Sequence, residues 1–186
     1  MEQKNTNAIN LYIDYRRLLC YQKAIVVYDL TYLFCSRYLK SGDRTCDQMI
    51  QAARSGKQNI VEGCGNLATS KEMGIKLLKV SLGSHMELIE DYCDYLRVRG
   101  FHIWDKESAE ARAMAKLGRE NADSQFFTSL AESRNDETIA NMAIILIKQC
   151  MLLTQKYAER IIENFTHEGG FREKMTRIRL DVRNKR

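Results

Sequence analysis

The chain of 186 residues has no proline, one tryptophan and three histidines. Without proline nothing in the covalent chain forces a helix to stop, so helices of any length are open to it. It also lacks a run of about 18 apolar residues, the length that crosses a membrane. Its most apolar stretch, Met142 to Leu153, is broken by Lys148 and Gln149. Six cysteines, Cys20, Cys35, Cys46, Cys64, Cys93 and Cys150, form no Cys-x-x-Cys pair and no Cys/His cluster at zinc spacing, which argues against a thiolate metal site. The opening Met-Glu-Gln-Lys-Asn-Thr-Asn has no apolar signal-peptide core. The expectation is a soluble cytoplasmic protein that does not enter the membrane and whose thiols stay free rather than forming three disulfides.

Signatures of catalysis are missing too. A di-iron bundle needs Glu-x-x-His pairs, and Glu163 and His167 stand four apart rather than three. There is no Gly-x-x-x-x-Gly-Lys loop for phosphate and no Gly-x-Ser-x-Gly elbow. No enzyme activity, cofactor or metal is expected.

What is present is a chain with 45% hydrophobic and 28% charged residues, long enough for one core that buries roughly 70% of the unfolded surface and short for two. A mostly helical class follows. The net charge of +5 is concentrated at one end. Residues 171–186 carry seven basic side chains, Arg172, Lys174, Arg177, Arg179, Arg183, Lys185 and Arg186, against Glu173 and Asp181, while the other 170 residues balance at 22 basic and 22 acidic. The body therefore gives no sign of a general nucleic-acid surface. The expected organisation is a bundle over 1–170, with an insertion at about 101–135, and a basic suffix over 171–186.

Helical periodicity sets in at Leu11, with Ile25, Tyr28, Tyr32, Cys35 and Leu39 on one face and Val26, Leu30 and Leu33 on another. Ser41-Gly42-Asp43 supplies a break and a cap for a second helix from about Arg44 to Asn66. Thr69 or Ser70 opens a third, with Ile75, Leu78, Leu82, His85, Ile89, Tyr92 and Leu96 as its seam, ending before Gly100. His85, alone in that seam, reads as a core histidine rather than a ligand. From Phe101 to Asn135 a short helix and a connector are expected. Asp136 then caps a last long helix with Ile139, Met142, Leu146, Cys150, Leu153, Tyr157 and Ile161 in its seam, and Ile144, Ile145, Ile147, Met151 and Leu152 off it. The extra apolar faces of the first and last long helices suggest contact with another subunit.

The second helix holds the most specific pattern. Met49, Ala53, Gly56, Ile60, Gly63 and Leu67 alternate in steps of four and three, a seam in which half the residues are Ala or Gly. Beside it run Gln48, Ala52, Ser55, Asn59, Glu62 and Asn66. Small residues let a neighbouring backbone come close, and Ser55, Asn59 and Glu62 are expected to hydrogen-bond to that neighbour. An acid/base pair of Glu62 and Glu87 is the sharper alternative, and it loses because no nucleophile or oxyanion donor accompanies them.

Gln48-Met49, Ala52-Ala53, Ser55, Asn59-Ile60 and Glu62-Gly63, followed by Gly83-Ser84-x-x-Glu87-Leu88, resemble the bacterial four-helix-bundle proteins encoded in intervening sequences of large-subunit ribosomal RNA genes. Relatives of that family include the accessory variability protein of diversity-generating retroelements. Gly169-Gly170-Phe171-Arg172-Glu173 is similar to the C-terminal suffix of one branch. The likeness covers about 19–100 and 136–186, and its motif residues are Ser55, Gly56, Asn59, Glu62, Gly63, Ser84 and Glu87. Three departures stand out: Tyr21 where many members have tryptophan, no proline in the first interhelical loop, and Gly56 in place of a larger apolar residue. The resemblance implies an all-α, antiparallel up-down four-helix bundle that assembles into a homopentameric ring. The retroelement relative associates with reverse transcriptase and nucleic acid, which makes RNA or DNA the alternative partner, met through the seven basic residues of the suffix. The bland counterpart is a solvated basic end.

Overall fold

The computed structural model describes residues 13–40, 42–168, 176, 179–180 and 183–184. After a 3-10 turn at Tyr15–Arg17 come α1 (Leu19–Tyr38), α2 (Arg44–Leu67), α3 (Lys71–Val98), α4 (Ala109–Glu120), α5 (Ser124–Glu132) and α6 (Asp136–Glu168). No strand occurs among the described residues. α1, α2, α3 and α6 pack on one another as a helical bundle, α4 lies against α6 and α5 against α1. Leu30, Phe34, Met49, Ile60, Leu78, Leu88, Tyr92, Leu96, Ile139, Leu146 and Ile147 fill the core. At its centre Phe34 meets Tyr92 and Tyr95 edge-on, and the Tyr92 hydroxyl donates to buried Thr31 at 3.1 Å.

The ends of the helices follow their capping chemistry. Gly42, at φ +84, takes the left-handed turn after α1, and Asp43 accepts from the Thr45 amide to start α2. Ser70 does the same for α3 through the Met73 amide, and Gly100 at φ +69 closes it. Two expected starts differ. The period running back to Leu11 does not become one helix, because Leu18 is extended and Tyr15 turns back edge-on against Tyr21. α6 is capped by Asn135, whose side chain accepts from the Thr138 amide, while Asp136 inside the helix takes the Tyr95 hydroxyl at 2.8 Å.

The larger correction concerns 121–133, where a connector was expected. That stretch is α5, with Asp123 accepting from the Gln125 amide at its start and Phe127 fully buried under it. Polar composition hid a helix whose apolar stripe is only Phe127, Leu130 and Ala131, too short to show a period by itself. The insertion is pinned along its whole length. Asn141, buried on α6, accepts from the Trp104 amide and donates to the His102 carbonyl. Lys23 donates to the Gly118 and Asn121 carbonyls at the end of α4, at 2.7 and 2.6 Å. Ser124 bonds to Asp29, Arg37 reaches the Ala131 and Glu132 carbonyls, and the Tyr38 hydroxyl donates to Arg134.

These contacts account for the second apolar faces. Val26, Leu30 and Leu33 share a side of α1 with Lys23 and Arg37, the side against α5, and Ile145 lies one turn from Gln149, which donates to Ala115 of α4. α5 lies against α1 and α4 against α6, while Tyr32 of α1 and Leu152 of α6 stay 57 and 52% exposed. α6 is long and apolar enough to cross a membrane, with an 18-residue window inside Asp136–Asn164 reaching mean hydropathy 1.3, but 56% of that window is buried inside the bundle. Its apolar character is that of a core helix.

Candidate functional site

α2 and α3 fold back on each other across the turn at 68–70 and make the most extensive helix pair in the molecule. All six seam residues of α2, Met49, Ala53, Gly56, Ile60, Gly63 and Leu67, are buried. Gly56 and Gly74 are equally tight, a Cβ built on either lying 2.5 Å from a side-chain atom of the other helix. A Cβ built on Gly56 would lie 2.5 Å from His85 Nε2 and 2.7 to 2.8 Å from two ring carbons, so the imidazole occupies the space a side chain would need. Gly63 meets the Gly74 backbone in the same way one layer on.

Hydrogen bonds stitch the same interface. The Ser81 hydroxyl donates to the Gly56 carbonyl at 2.7 Å, fully buried, and Ser55 and Ser84 share a hydroxyl contact of 3.0 Å. Asn59 does not cross to α3; it donates to the Ser55 carbonyl and hydroxyl within α2, holding the Ser55 rotamer. Glu62 was expected in a buried hydrogen bond, yet it is exposed. Its position sits one step too far round the helix, so water solvates the carboxylate without help from α3. Glu87 is exposed as well, on the rim of a 660 Å³ cleft between the two helices where Gln48, Ser55, Ser84 and Asp91 also lie, with Arg44 and Asp47 at one end. Partial burial, and then Asp94 and Glu87 nearby, raise the Asp91 carboxyl above its ordinary value. Glu62 is absent from this cleft, and the Glu62–Glu87 acid/base pair does not form.

The chemistry open to these groups is limited. The Ser55 hydroxyl bonds to Ser84 and Asn59, and none of its hydrogen bonds reaches the Glu87 or Asp91 carboxylate of the same cleft. His85 is fully buried behind Gly56; burial pushes its pKa down to about 4, with the Ser81 carbonyl one turn back acting weakly the other way. Its Nε2 stands 4.0 Å from the Cys150 thiol, and its Nδ1 has no partner in hydrogen-bonding geometry. The ring is therefore neutral near pH 7, a space-filler. Burial likewise pushes the Cys20 thiol up to about 12 and raises Cys35, Cys64 and Cys150, leaving them protonated and inert. All six cysteines are free. Among the described residues no three His, Cys, Asp or Glu side chains are placed to hold a metal ion. The chain is a small all-helical protein without a catalytic or metal-binding motif in those residues.

Two residues that matter to the packing escaped the sequence pattern. Ser81 bonds across the helix pair more tightly than the motif serines, and its only signal is a small polar residue four before His85, on the seam side of α3. Lys23, in the first turns of α1, carries the insertion, and nothing in the sequence marks it. Of the suffix, Arg179 and Arg183 are helical and exposed, one turn apart. Arg172, Lys174, Arg177, Lys185 and Arg186 lie outside the described residues. Comparison with protein-family models, curated proteins and solved structures finds no match to this chain.

Proposed function

We propose that the protein is a non-enzymatic helical scaffold, an antiparallel up-and-down four-helix bundle that self-assembles into a ring-shaped homo-oligomer. Five subunits is the number its sequence resemblance favours. The observation that carries the reading is the outward face of α3. Met73, Val80, Met86 and Val98 are exposed by 44, 46, 58 and 65%, on a helix whose other side is the buried seam. Between Val80 and Met86 stands Gly83, exposed in mid-helix with nothing within 4 Å of a Cβ built on it. Glycine there costs about 1 kcal/mol relative to alanine, and no contact inside the chain gives it a use. A second backbone pressed against that gap would, with methionines packing around it. In the proposed ring this face meets a different patch of the next subunit, and such head-to-tail contacts close when their rotation allows.

Native mass spectrometry and sedimentation test this, with Gly83→Leu as the variant. Leucine at that position fits the isolated subunit, so the variant is expected to melt no lower as a chain and to lose the oligomer. A wild-type chain that stays monomeric at micromolar concentration overturns the reading, and an oligomer unaffected by Gly83→Leu removes α3 as the interface.

A second reading has its own observation. Arg179 and Arg183 are each helical and exposed within the segment that carries all the excess charge, which fits a nucleic-acid accessory module acting through its C-terminal tail. Salt-dependent binding separates it from the scaffold.

A further inference from the structure

Three clefts among the described residues differ in the sign of their charges. The one between α1 and α5 has Asp29 and Asp123 as its charged residues; the α2–α3 cleft mixes Arg44 with Asp47, Glu87 and Asp91. The third, of 240 Å³ between the start of α1, the end of α4 and the middle of α6, has only cations: Lys23, Arg119 and Lys156. Its walls are apolar, formed by Leu19, Leu152 and Leu153, of which Leu19 and Leu152 stay 58 and 52% exposed.

Lys23 is the unusual member. Its side chain is 2% exposed, yet no carboxylate among the described residues pairs with it. Two of its three N–H donors go to the Gly118 and Asn121 carbonyls, and the ring of Phe127 lies 5.1 Å away. Carbonyl dipoles at a helix end offset part of a buried positive charge, and an anion would offset the rest. Burial accordingly pulls the lysine pKa below its ordinary value. At the same wall the Gln149 amide donates to Ala115, while its own buried oxygen has no hydrogen-bond partner.

We propose that this cleft binds a small aliphatic carboxylate, its hydrocarbon chain against Leu19, Leu152 and Leu153 and its carboxylate drawn to Lys23, Arg119 and Lys156. Both halves of such a molecule are needed. An apolar chain alone would leave three like charges around it unanswered, and an inorganic anion would leave the leucines wet. The site is independent of the number of subunits in the oligomer.

The test is calorimetric titration of the full chain with octanoate, and with octylamine and octanol as equal-length probes of opposite and zero charge. Octanoate is expected to bind saturably with one site per chain, more than about tenfold tighter than either control, since truncating one partner of a desolvated charge pair costs at least that factor. Leu152→Asp, at a half-exposed rim position that leaves the core untouched, is expected to abolish binding, Lys156→Glu to weaken it, and Lys23→Met to reduce octanoate to the affinity of octanol. Circular dichroism checks that each variant is folded, and Leu152→Asp and Lys156→Glu decide the matter if Lys23→Met is not. Absence of saturable octanoate binding, binding no tighter than that of octylamine, or binding that survives Leu152→Asp unchanged each overturns the proposal.

Discussion

Gly56→Ala sets two effects of known size against each other. In an unobstructed helix the change is favourable by about 1 kcal/mol, because alanine restricts the unfolded chain. Here the new methyl would stand 2.5 Å from His85 Nε2 and under 3 Å from two ring carbons. The ring is rigid and fully buried, with the Cys150 thiol 4.0 Å from the same Nε2, so it cannot swing into open space. Relief needs a shift of the α2–α3 pair, and overpacking of that kind costs about 3 kcal/mol at its upper range. The net expectation is a loss of about 2 kcal/mol, or a melting temperature lower by about 4 to 8 °C for a chain of this length. Gly65→Ala is the internal control: it lies in the same helix with nothing within 4 Å of its Cβ, and should raise stability by about 0.5 kcal/mol. Scanning calorimetry of both variants, together with His85→Ala and the double variant, measures the coupling between positions 56 and 85, expected at about 1 to 2 kcal/mol. A Gly56→Ala protein as stable as wild type, or a double variant whose losses simply add, would refute the steric account.

Three further expectations rest on other parts of the molecule. His85 titrates near its ordinary 6.5 when unfolded and at about 4 when folded, so its contribution is fully present above pH 6.5 and is lost as pH falls toward 4, about 3 kcal/mol in all; urea unfolding at pH 7 and 4.5 should show the slope, and His85→Phe should flatten it. Asn141→Ala strips the partners from the His102 carbonyl and the Trp104 amide, and should cost about 2 kcal/mol and speed amide exchange across 102–132 ahead of the bundle. If the basic suffix holds nucleic acid, binding should follow a log-log salt slope of about −3.5 to −4.5, as for five neutralised phosphates. Deleting 172–186 should then abolish it and leave the oligomer intact; binding that survives with the same slope excludes the suffix as its source.

The sequence by itself determined the helical class, the caps at Asp43 and Ser70 and the seam of α2, because each is written within one or two turns of chain. A seam in which half the positions are glycine or alanine can be read without knowing the neighbour, since small residues collect on one face where something approaches. What approaches was decided by tertiary structure. That the gap at Gly56 is filled by a neutral histidine depends on the register of α3 against α2, which places His85 and Ser81 opposite Gly56 and turns Glu62 out to water. The second face of α1 shows the same limit: Val26, Leu30 and Leu33 announce a neighbour, and only the tertiary structure shows that a helix of nine residues, α5, packs against α1. Short helices carry too few apolar residues for a period, and pairings across 95 to 98 residues, such as Lys23 with the end of α4 and Asp29 with Ser124, leave no mark on local spacing. Lys23 reads in the chain as one more solvated cation, and only the packing of α4 and α5 over it makes it a buried charge.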